Sequence, residues 1–191
     1  MKKPNVILML ADDLGYGDIS AFNPEGKIPT PNVDAMCRDG MMFTDAHACS
    51  ALCTPSRYGL LTGRYAWRSR LKFLVLPGDS ATLIEKDRMT IAQVFQQAGY
   101  KTAAVGKWHL GLEWEVNPDP KPEDFGEDPA AYENMGHRPP VEPSLGRDMA
   151  RAYQGYDLDY TKPIKFGPKQ YGFDYFFGMP ASLDQPPYVY I

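Results

Sequence analysis

A continuous apolar run near the start of the chain is the first clear feature of its hydrophobic pattern. The run, Asn5-Val-Ile-Leu-Met-Leu10, is bounded by Pro4 and by the acidic pair Asp12-Asp13. An unbroken run of this length is typical of a strand that is buried on both faces of a parallel sheet. We therefore predict a core strand here, and the apolar segment Met41-Met-Phe-Thr44 is a candidate for the next strand.

Two helices are predicted between this strand and the middle of the chain. The first spans Pro31 to Asp39, with Thr30 as its N-cap, proline at its first position and Gly40 as its stop. The second lies in Cys53-Thr-Pro-Ser-Arg-Tyr-Gly-Leu-Leu-Thr62, which predicts a turn leading into a helix because Pro55 suits a first helical turn.

A helix followed by a strand is predicted from Met89 to Val105. The helix runs from Met89 or Thr90 to Ala98 and ends at Gly99. Its apolar positions are spaced to share one face: Ile91, Val94, Phe95 and Ala98. The strand, Lys101-Thr-Ala-Ala-Val105, has the composition of a second buried strand. Alternation of helix and strand favours an α/β fold with a parallel sheet.

The composition changes after the second predicted strand. Residues 115–170 are rich in Pro, Gly, Asp, Glu and Tyr and lack sustained periodicity. We predict a long, loop-rich surface excursion with one short helix near Arg147 to Tyr153. The last residues, Pro187-Tyr-Val-Tyr-Ile191, have the pattern of the start of a strand, so we expect a truncated protein.

The overall composition excludes several classes of function. A chain of 191 residues is long enough for one domain with a core. Its 20 basic and 24 acidic residues include no basic run, so we expect no nucleic-acid partner. The longest apolar stretch, Val6 to Ala11, is too short to span a membrane, and no signal peptide is visible after Met1-Lys2-Lys3. Three cysteines are too few for a disulfide scaffold.

Asp12 and Asp13 are candidate metal ligands because they directly follow the first predicted strand. Ligands of parallel α/β sheets collect at the carboxyl ends of the strands. Adjacent carboxylates repel each other unless a cation neutralises them, and hard divalent cations prefer oxygen ligands. The alternative is that one aspartate caps a turn while the other is solvated.

Lys107 and His109 follow the second predicted strand in the same way. Residues two apart point to the same side of an extended segment, so both could reach an anion at the edge of the sheet. Lysine would act as a point charge, and histidine would donate a proton or a hydrogen bond. A snorkelling lysine beside a hydrogen-bonded structural histidine explains the pair equally well.

Cys53 opens the second predicted helix, where backbone N–H groups and the macrodipole favour negative charge. Arg57 follows one turn later on the same side of the helix. A sulfate or phosphate group suits this arrangement. The alternative is a small buried cysteine beside an arginine that pairs with a surface acid. His47 and His137 lack such surroundings, and we expect them to be structural or surface residues.

Four ordered motifs resemble those of the type I, formylglycine-dependent sulfatases. The most specific is Cys53-Thr-Pro-Ser-Arg57, which continues through Leu60-Leu-Thr-Gly-Arg64. The other three are Pro4-Asn-Val-Ile with Asp12-Asp-Leu-Gly-Tyr-Gly17, Gly106-Lys-Trp-His-Leu-Gly111 and Gly172-Phe-Asp-Tyr-Phe-Phe-Gly178. The resemblance, to arylsulfatase-like members, implies an α/β, alkaline phosphatase-like fold. Its mostly parallel sheet is flanked by helices and is incomplete at the C-terminal end. Residues 1–191 would be the N-terminal part of the catalytic domain, without its remainder and the C-terminal subdomain.

The resemblance implies a sulfuric ester hydrolase that cleaves sulfate monoesters. Cys53 would be converted to formylglycine by a formylglycine-generating enzyme or a radical maturation enzyme. One hydroxyl of the aldehyde hydrate attacks sulfur and the alcohol leaves. The second hydroxyl then allows the covalent sulfate to be eliminated, which a plain thiol or serine could not do.

The family pattern also implies a role for each matching residue. Asp12, Asp13 and the modified Cys53 would ligate a calcium ion, which neutralises charge on the sulfate oxygens. Arg57 would hold and orient the formylglycine.

The same pattern implies the residues that meet the substrate. Lys107 would bind the sulfate, and His109 would position the hydrate or contact the sulfate. Ser182 aligns with a serine that contacts sulfate in some members, and Asp184 is a further candidate for substrate contact. A full family site also needs a second pair of metal ligands, and in addition a histidine and a lysine that help the leaving group depart. These residues normally come from later in the chain, so we expect a fragment with half of the active site.

Two alternatives to a sulfatase stay open at this stage. One is a phosphonate or phosphate ester hydrolase of the same superfamily, although the cysteine motif and Lys107-Trp-His-Leu-Gly111 favour sulfatases. The other is a truncated, non-catalytic fragment that binds an anion or a metal. The substrate could be a sulfated glycan or a small aryl sulfate, and the resemblance implies a periplasmic, secreted or lysosomal location.

Overall fold

The computed structural model describes residues 3–115, 158–183 and 187–191. The chain divides into two compact units, Met1–His47 and Ala48–Ile191. Most of the predicted excursion, including the helix expected near Arg147 to Tyr153, lies outside the described residues. No helix of the described ranges is both long enough and apolar enough to cross a membrane.

The first unit contains one α-helix, α1, at Pro31–Asp39. It begins after Thr30 and ends at Gly40, as the sequence predicts. The side chain of Thr30 accepts no capping hydrogen bond from the backbone N–H groups of the helix. Its hydroxyl instead donates to Asp34 Oδ1 at 3.0 Å, and Thr30 Oγ1 accepts from the backbone N–H of Ser20 at 2.9 Å. The helix start is therefore tied to the preceding loop through side chains.

The predicted core strand over Asn5 to Leu10 is wrong in this structure. The segment forms no strand, and its large apolar side chains from Val6 to Leu10 are 50–83% exposed. The strand predicted over Met41 to Thr44 is likewise absent. An apolar run reports hydrophobicity, whereas a strand exists only when a neighbouring segment supplies hydrogen bonds. Within the described residues these two runs have no such neighbour, so Asp12 and Asp13 do not follow a strand.

The second unit contains two α-helices, α2 at Cys53–Thr62 and α3 at Ile91–Gln97. Both predicted helices are confirmed. In α3, Thr90 and Gln93 form a reciprocal capping box, in which each side chain accepts a hydrogen bond from the backbone of the other residue.

The apolar residues that share one face of α3 are not its buried residues. Ala92 is 2% exposed, whereas Ile91 and Val94 are 39% and 50% exposed. Helical spacing identifies the residues that share a face, but it does not determine which face is buried.

Two parallel strands follow, β1 at Ala103–Lys107 and β2 at Tyr175–Met179. Ala103 pairs with Tyr175 and Lys107 with Met179. This confirms a parallel sheet of the predicted α/β type, although β1 begins two residues later than predicted. The expectation that this strand is buried is wrong, because Val105 is 75% exposed.

A hydrogen-bonded cluster fixes the register of these strands at their amino ends. Asp174 Oδ2 accepts from the backbone N–H of Thr102 at 2.9 Å, and the Thr102 hydroxyl donates to the carbonyl of Gly172 at 2.6 Å. Gln96 of α3 donates to the other oxygen of Asp174 at 3.2 Å. The motif around Gly172 thus joins both strands to the preceding helix.

The core of the second unit is aromatic. Trp108, directly after β1, is 4% exposed and packs against the rings of Tyr171, Phe173 and Phe176 at centroid distances of 5.9–6.2 Å. Near the end of the chain, the strand predicted from Pro187 is absent. Ile191 nevertheless exchanges two backbone hydrogen bonds of 2.9 Å with Gly178 in β2.

Candidate active site

The first turn of α2 presents the cysteine that the sequence singles out. Cys53 is the first residue of this helix, is half-buried and carries a free thiol. Leu52, the N-cap, is extended and offers no side-chain cap to the helix. The first N–H groups of a helix attract negative charge, as does the macrodipole. The structure confirms that Cys53 opens a helix.

Arg57 connects α2 to the end of β1. It lies one turn after Cys53 and is half-buried. Its Nη1 atom donates a hydrogen bond of 2.5 Å to the carbonyl oxygen of Lys107. A charged donor on a backbone acceptor is among the stronger hydrogen bonds in proteins. It holds the end of the strand against the helix that carries the cysteine.

Lys107 and Ser182 are brought together by the parallel pairing of β1 and β2. Lys107 is the last residue of β1, and Ser182 follows β2 by three residues. The Nζ atom of Lys107 donates to the Ser182 hydroxyl at 2.9 Å. Parallel strands end at the same edge of a sheet, so residues far apart in sequence meet there. Two of the predicted substrate-binding residues are therefore in direct contact.

His109 lies in a different environment from Lys107. It is 1% exposed, and its Nε2 atom lies 2.7 Å from the carbonyl oxygen of Leu76. Its φ of 55° is in the left-handed region, so the extended segment ends before this residue. Lys107 and His109 consequently have different partners, which the rule for extended segments does not predict.

Thr54 is a residue of this region that sequence reasoning missed. It is fully buried directly after Cys53, and its Oγ1 atom accepts a hydrogen bond of 3.2 Å from the backbone N–H of Leu76. Leu76 thus bonds to Thr54 through its N–H group and to His109 through its carbonyl. The only sequence signal was the place of Thr54 inside the cysteine motif.

Tyr58, Arg64 and Glu85 form a polar network behind the cysteine turn. The hydroxyl of Tyr58 donates to Glu85 at 2.9 Å, and Arg64 donates to Glu85 at 2.8 Å. Burial raises the pKa of Tyr58, and acceptance by Glu85 adds to this. Burial also acts to raise the pKa of Glu85, but its hydrogen bonds and the positive charges of Arg64 and Arg88 outweigh it, and its pKa is lowered. The arginine of the Leu-Thr-Gly-Arg motif therefore has a structural contact.

The candidate metal ligands Asp12 and Asp13 belong to the first unit. Both are exposed, and Asp13 has a left-handed φ of 59°. Their carboxylates are the hard oxygen donors that calcium prefers, but calcium takes about six to eight ligands. No group of three or more His, Cys, Asp or Glu residues arranged for a metal occurs in the described ranges. The pair therefore suits part of a calcium site, and its sharing of a metal with Cys53 stays a prediction.

The other predicted residues have simpler outcomes. Asp184 and His137 lie outside the described residues. His47 pairs with Asp45 at 2.7 Å, and both side chains are more than 80% exposed. His47 is therefore a surface residue, as expected.

A family model described as Sulfatase matches residues 4–190. An N-acetylgalactosamine-6-O-sulfatase of Bacteroides thetaiotaomicron is 37% identical over 190 residues, which cover 100% of this chain and 29% of the relative. Human arylsulfatase G is 44% identical over 120 residues, which cover 62% of this chain and 22% of the relative. The chain thus spans less than a third of the length of these relatives.

Solved structures give similar results. One solved structure concerns the metabolism of multiple glycosaminoglycans by Bacteroides thetaiotaomicron. It superposes with a TM-score of 0.71 at 34% identity, and the match covers 99% of this chain and 31% of that chain. A crystal structure of Ps i-CgsB in complex with k-i-k-neocarrahexaose superposes with a TM-score of 0.61 at 27% identity, covering 95% of this chain and 29% of that chain.

Proposed function

The chain belongs to the sulfatase family, and on this premise we propose that the protein hydrolyses sulfate monoesters through a formylglycine made from Cys53. The observation that carries the proposal is the contact chain at the end of β1. Arg57 of α2 donates a hydrogen bond to the backbone carbonyl of Lys107, and the side chain of Lys107 donates to the hydroxyl of Ser182. The helix that opens with Cys53 is thus joined to the strand end that carries Lys107. Cationic side chains and a helix N-terminus suit the negatively charged sulfate group of an ester.

We propose separate roles for the residues of this cluster. Arg57 orients the modified Cys53 from one turn along the same helix. Lys107 and Ser182 bind the sulfate group, the lysine as a charge and the serine as a hydroxyl donor. His109 positions the nucleophile, and Asp184 contacts the rest of the substrate. The formylglycine hydrate supplies two hydroxyl groups, one for attack on sulfur and one for release of sulfate.

Asp12, Asp13 and the modified Cys53 are proposed as ligands of a calcium ion. The two carboxylates suit a hard cation in charge and donor type, and they supply only part of its coordination. Calcium would neutralise charge on the sulfate oxygens as the ester bond breaks. The remaining ligands would come from other residues of the protein.

A sulfated glycan is the substrate class that the comparisons favour. One relative that matches 100% of this chain is an N-acetylgalactosamine-6-O-sulfatase. A similar solved structure holds an oligosaccharide, k-i-k-neocarrahexaose. The arylsulfatase relatives cover a smaller share of this chain, 62% for the human arylsulfatase G. A small aryl sulfate is therefore the second candidate.

The domain organisation, partners and location are proposed on the same basis. Residues 1–191 would form the N-terminal part of a sulfatase catalytic domain, as the family motifs imply, and they cover 29% of the N-acetylgalactosamine-6-O-sulfatase. A formylglycine-generating or radical maturation enzyme would modify Cys53, and the protein would act in the periplasm, outside the cell or in a lysosome. Expression from the native locus, followed by intact mass measurement, tests the domain proposal.

Mass spectrometry of one tryptic peptide tests the central step. Cleavage after Arg38 and Arg57 releases Asp39–Arg57, which contains both Cys49 and Cys53. We expect the intact protein from its native host to lose sulfur and gain a carbonyl at Cys53 alone. Cys49 is the internal control, because the same peptide reports general oxidation of thiols.

Activity measurements on the same preparation complete the test. The intact protein should release sulfate from N-acetylgalactosamine 6-sulfate, and Cys53→Ala should abolish the release while Cys49→Ala retains it. Turnover of sulfate esters by protein with an unmodified Cys53 thiol would contradict the mechanism. Release of phosphate but not sulfate from matched esters would favour the phosphate or phosphonate alternative.

A further inference from the structure

We infer that Thr54 is a positioning residue for His109 and acts through the backbone of Leu76. This inference rests on the proposed function, because it assigns a purpose to the orientation of His109 in that site. The connection consists of two hydrogen bonds. Leu76 N–H donates to Thr54 Oγ1 at 3.2 Å, and the Leu76 carbonyl lies 2.7 Å from His109 Nε2.

The second of these bonds determines the tautomer of His109. A backbone carbonyl can only accept a hydrogen bond, so Nε2 must carry the proton. The neutral ring then has its lone pair on Nδ1, which becomes the nitrogen able to accept a proton. Because His109 is 1% exposed, water has little access to compete for Nε2. The carbonyl of Leu76 therefore selects the reactive nitrogen of the ring.

Thr54 fixes the peptide that performs this selection. Its side chain is fully buried and Leu76 is 1% exposed, so the hydroxyl is the acceptor for a backbone N–H group removed from solvent. A buried N–H group without an acceptor is costly, so loss of the hydroxyl would favour movement of this peptide. Movement of the Leu76 segment would displace the carbonyl that holds His109.

The same turn of α2 also holds the neighbouring strand. Thr54 and Arg57 are three residues apart, so they lie within one turn of each other near the start of the helix. Arg57 bonds to the carbonyl of Lys107, two residues before His109. The start of α2 therefore contacts the segments of both Lys107 and His109, the first through Arg57 and the second through Thr54 and Leu76.

The test compares Thr54→Val with Thr90→Val in the intact protein. Valine keeps the shape of threonine and removes the hydroxyl. Thr90 is 1% exposed, and its hydroxyl donates to the carbonyl of Tyr171 at 2.5 Å and accepts from the N–H group of Gln93, so its variant loses buried threonine hydrogen bonds away from His109 and controls for a general loss of stability. Thr54→Ser, which retains the hydroxyl, is the rescue variant.

Two readouts are measured on each variant. Nitrogen-15 NMR of labelled histidine, assigned with His109→Gln, reports the protonated ring nitrogen. Steady-state kinetics with a sulfate monoester reports kcat and KM. We expect the wild type, Thr90→Val and Thr54→Ser to show the Nε2–H tautomer. Thr54→Val should show a mixture of tautomers and a kcat lower by about tenfold to a hundredfold at a similar KM.

The two readouts separate this inference from the proposed function. A wild type that releases no sulfate would overturn the proposed function, while the NMR comparison would still decide the role of Thr54. Equal tautomer populations in Thr54→Val and Thr90→Val would overturn the positioning role. Equal losses of kcat in these two variants would do the same, since they would reflect stability alone.

Discussion

Glu85 is the acceptor on which the polar network behind the cysteine turn depends. It receives hydrogen bonds from the buried hydroxyl of Tyr58 and from Arg64, and Arg88 lies 3.7 Å from its carboxylate. Tyr58 belongs to α2, whereas Glu85 precedes α3. The carboxylate thus joins the segments that carry Cys53 and the amino end of α3.

Glu85→Gln should lower stability in a way that depends on pH. Because the folded-state pKa of Glu85 is lowered from its ordinary value of 4.5, its charge stabilises the fold above that value. This contribution is lost as the pH falls through the folded pKa. The side chain is 35% exposed, so we expect a loss of about 1 kcal/mol at pH 7. The gap between variant and wild type should close in acid.

Urea unfolding at a series of pH values measures this difference. Asp45→Asn is the control, because Asp45 is 88% exposed and its pair with His47 should contribute little. A difference between Glu85→Gln and wild type that stays constant from pH 7 down to pH 3 would contradict the role of the charge.

Gly111 is required where two backbone segments approach closely. Its φ is 76°, and a Cβ atom there would lie 2.1 Å from the carbonyl oxygen of Ala81. The neighbouring residues explain this approach, since Leu112 N–H donates to Ser80 and Leu83 N–H donates to Leu110. Neither backbone segment can move without breaking these bonds.

Gly111→Ala should therefore lower the free energy of unfolding by more than the positive φ of this residue alone explains. Gly63 has a φ of 64°, and a Cβ atom there would have no neighbour within 4 Å. We expect Gly63→Ala to lower the free energy of unfolding by about 1–2 kcal/mol, the cost of a left-handed residue. Gly111→Ala should exceed about 3 kcal/mol because of the added clash. Equal losses in chemical denaturation would show that the close approach is absent.

The parallel pairing of β1 and β2 depends on side chains outside the ladder. Thr102 and Asp174 each precede a strand, and Asp174 accepts from both the N–H group and the hydroxyl of Thr102. These hydrogen bonds lower the pKa of Asp174, and the bond from the backbone N–H of Thr102 has the largest effect. Because a two-stranded parallel pair has few bonds of its own, its register needs such support.

Asp174→Ala should loosen the amino end of this sheet. We expect amide hydrogen exchange at Thr102 and Tyr175 to accelerate by roughly an order of magnitude. Asp159→Ala is the matched control, since Asp159 accepts from Thr161 only two residues away. Acceleration at Thr102 in both variants would indicate a general loss of stability and would contradict a local role for Asp174.

The helices could be predicted from the sequence because their signals are local. Thr30, Pro31 and Gly40 define the ends of α1, and the box of Thr90 with Gln93 defines the start of α3. Each signal acts within one turn of the backbone, so no distant partner is needed.

The strands and the site were harder to predict because distant residues decide them. The apolar run from Val6 lacks a pairing neighbour among the described residues and lies exposed. The contact of Lys107 with Ser182 was foreseeable only in outline, from the shared edge of a parallel sheet. The link from Thr54 to His109 runs through backbone atoms of Leu76, whose side-chain identity carries no information about it.

At the scale of the whole molecule, the comparison with relatives identifies the fold class, which the described elements alone do not define. The described ranges contain two paired strands, which is too little to define a fold class. Superposition on a solved relative over 99% of this chain confirms the predicted α/β, alkaline phosphatase-like class. Two of the motifs that carried the resemblance also hold the second unit together, as Gly111, Gly172 and Asp174 show.

Calcium should stabilise the intact protein through Asp12 and Asp13 if they are metal ligands. A ligand that binds only the folded state adds about 2.7 kcal/mol at a hundred times its Kd, so the melting temperature should rise with calcium and fall with a chelator. Asp13→Asn removes one charged ligand and should abolish most of this rise. Asp39→Asn makes the same change of charge at an exposed residue of α1 and should retain it. Equal calcium-dependent shifts in the two variants, measured by thermal unfolding, would place the metal elsewhere. A shift lost only in Asp13→Asn would support calcium binding by the acidic pair, because thermal unfolding reports the metal without requiring turnover.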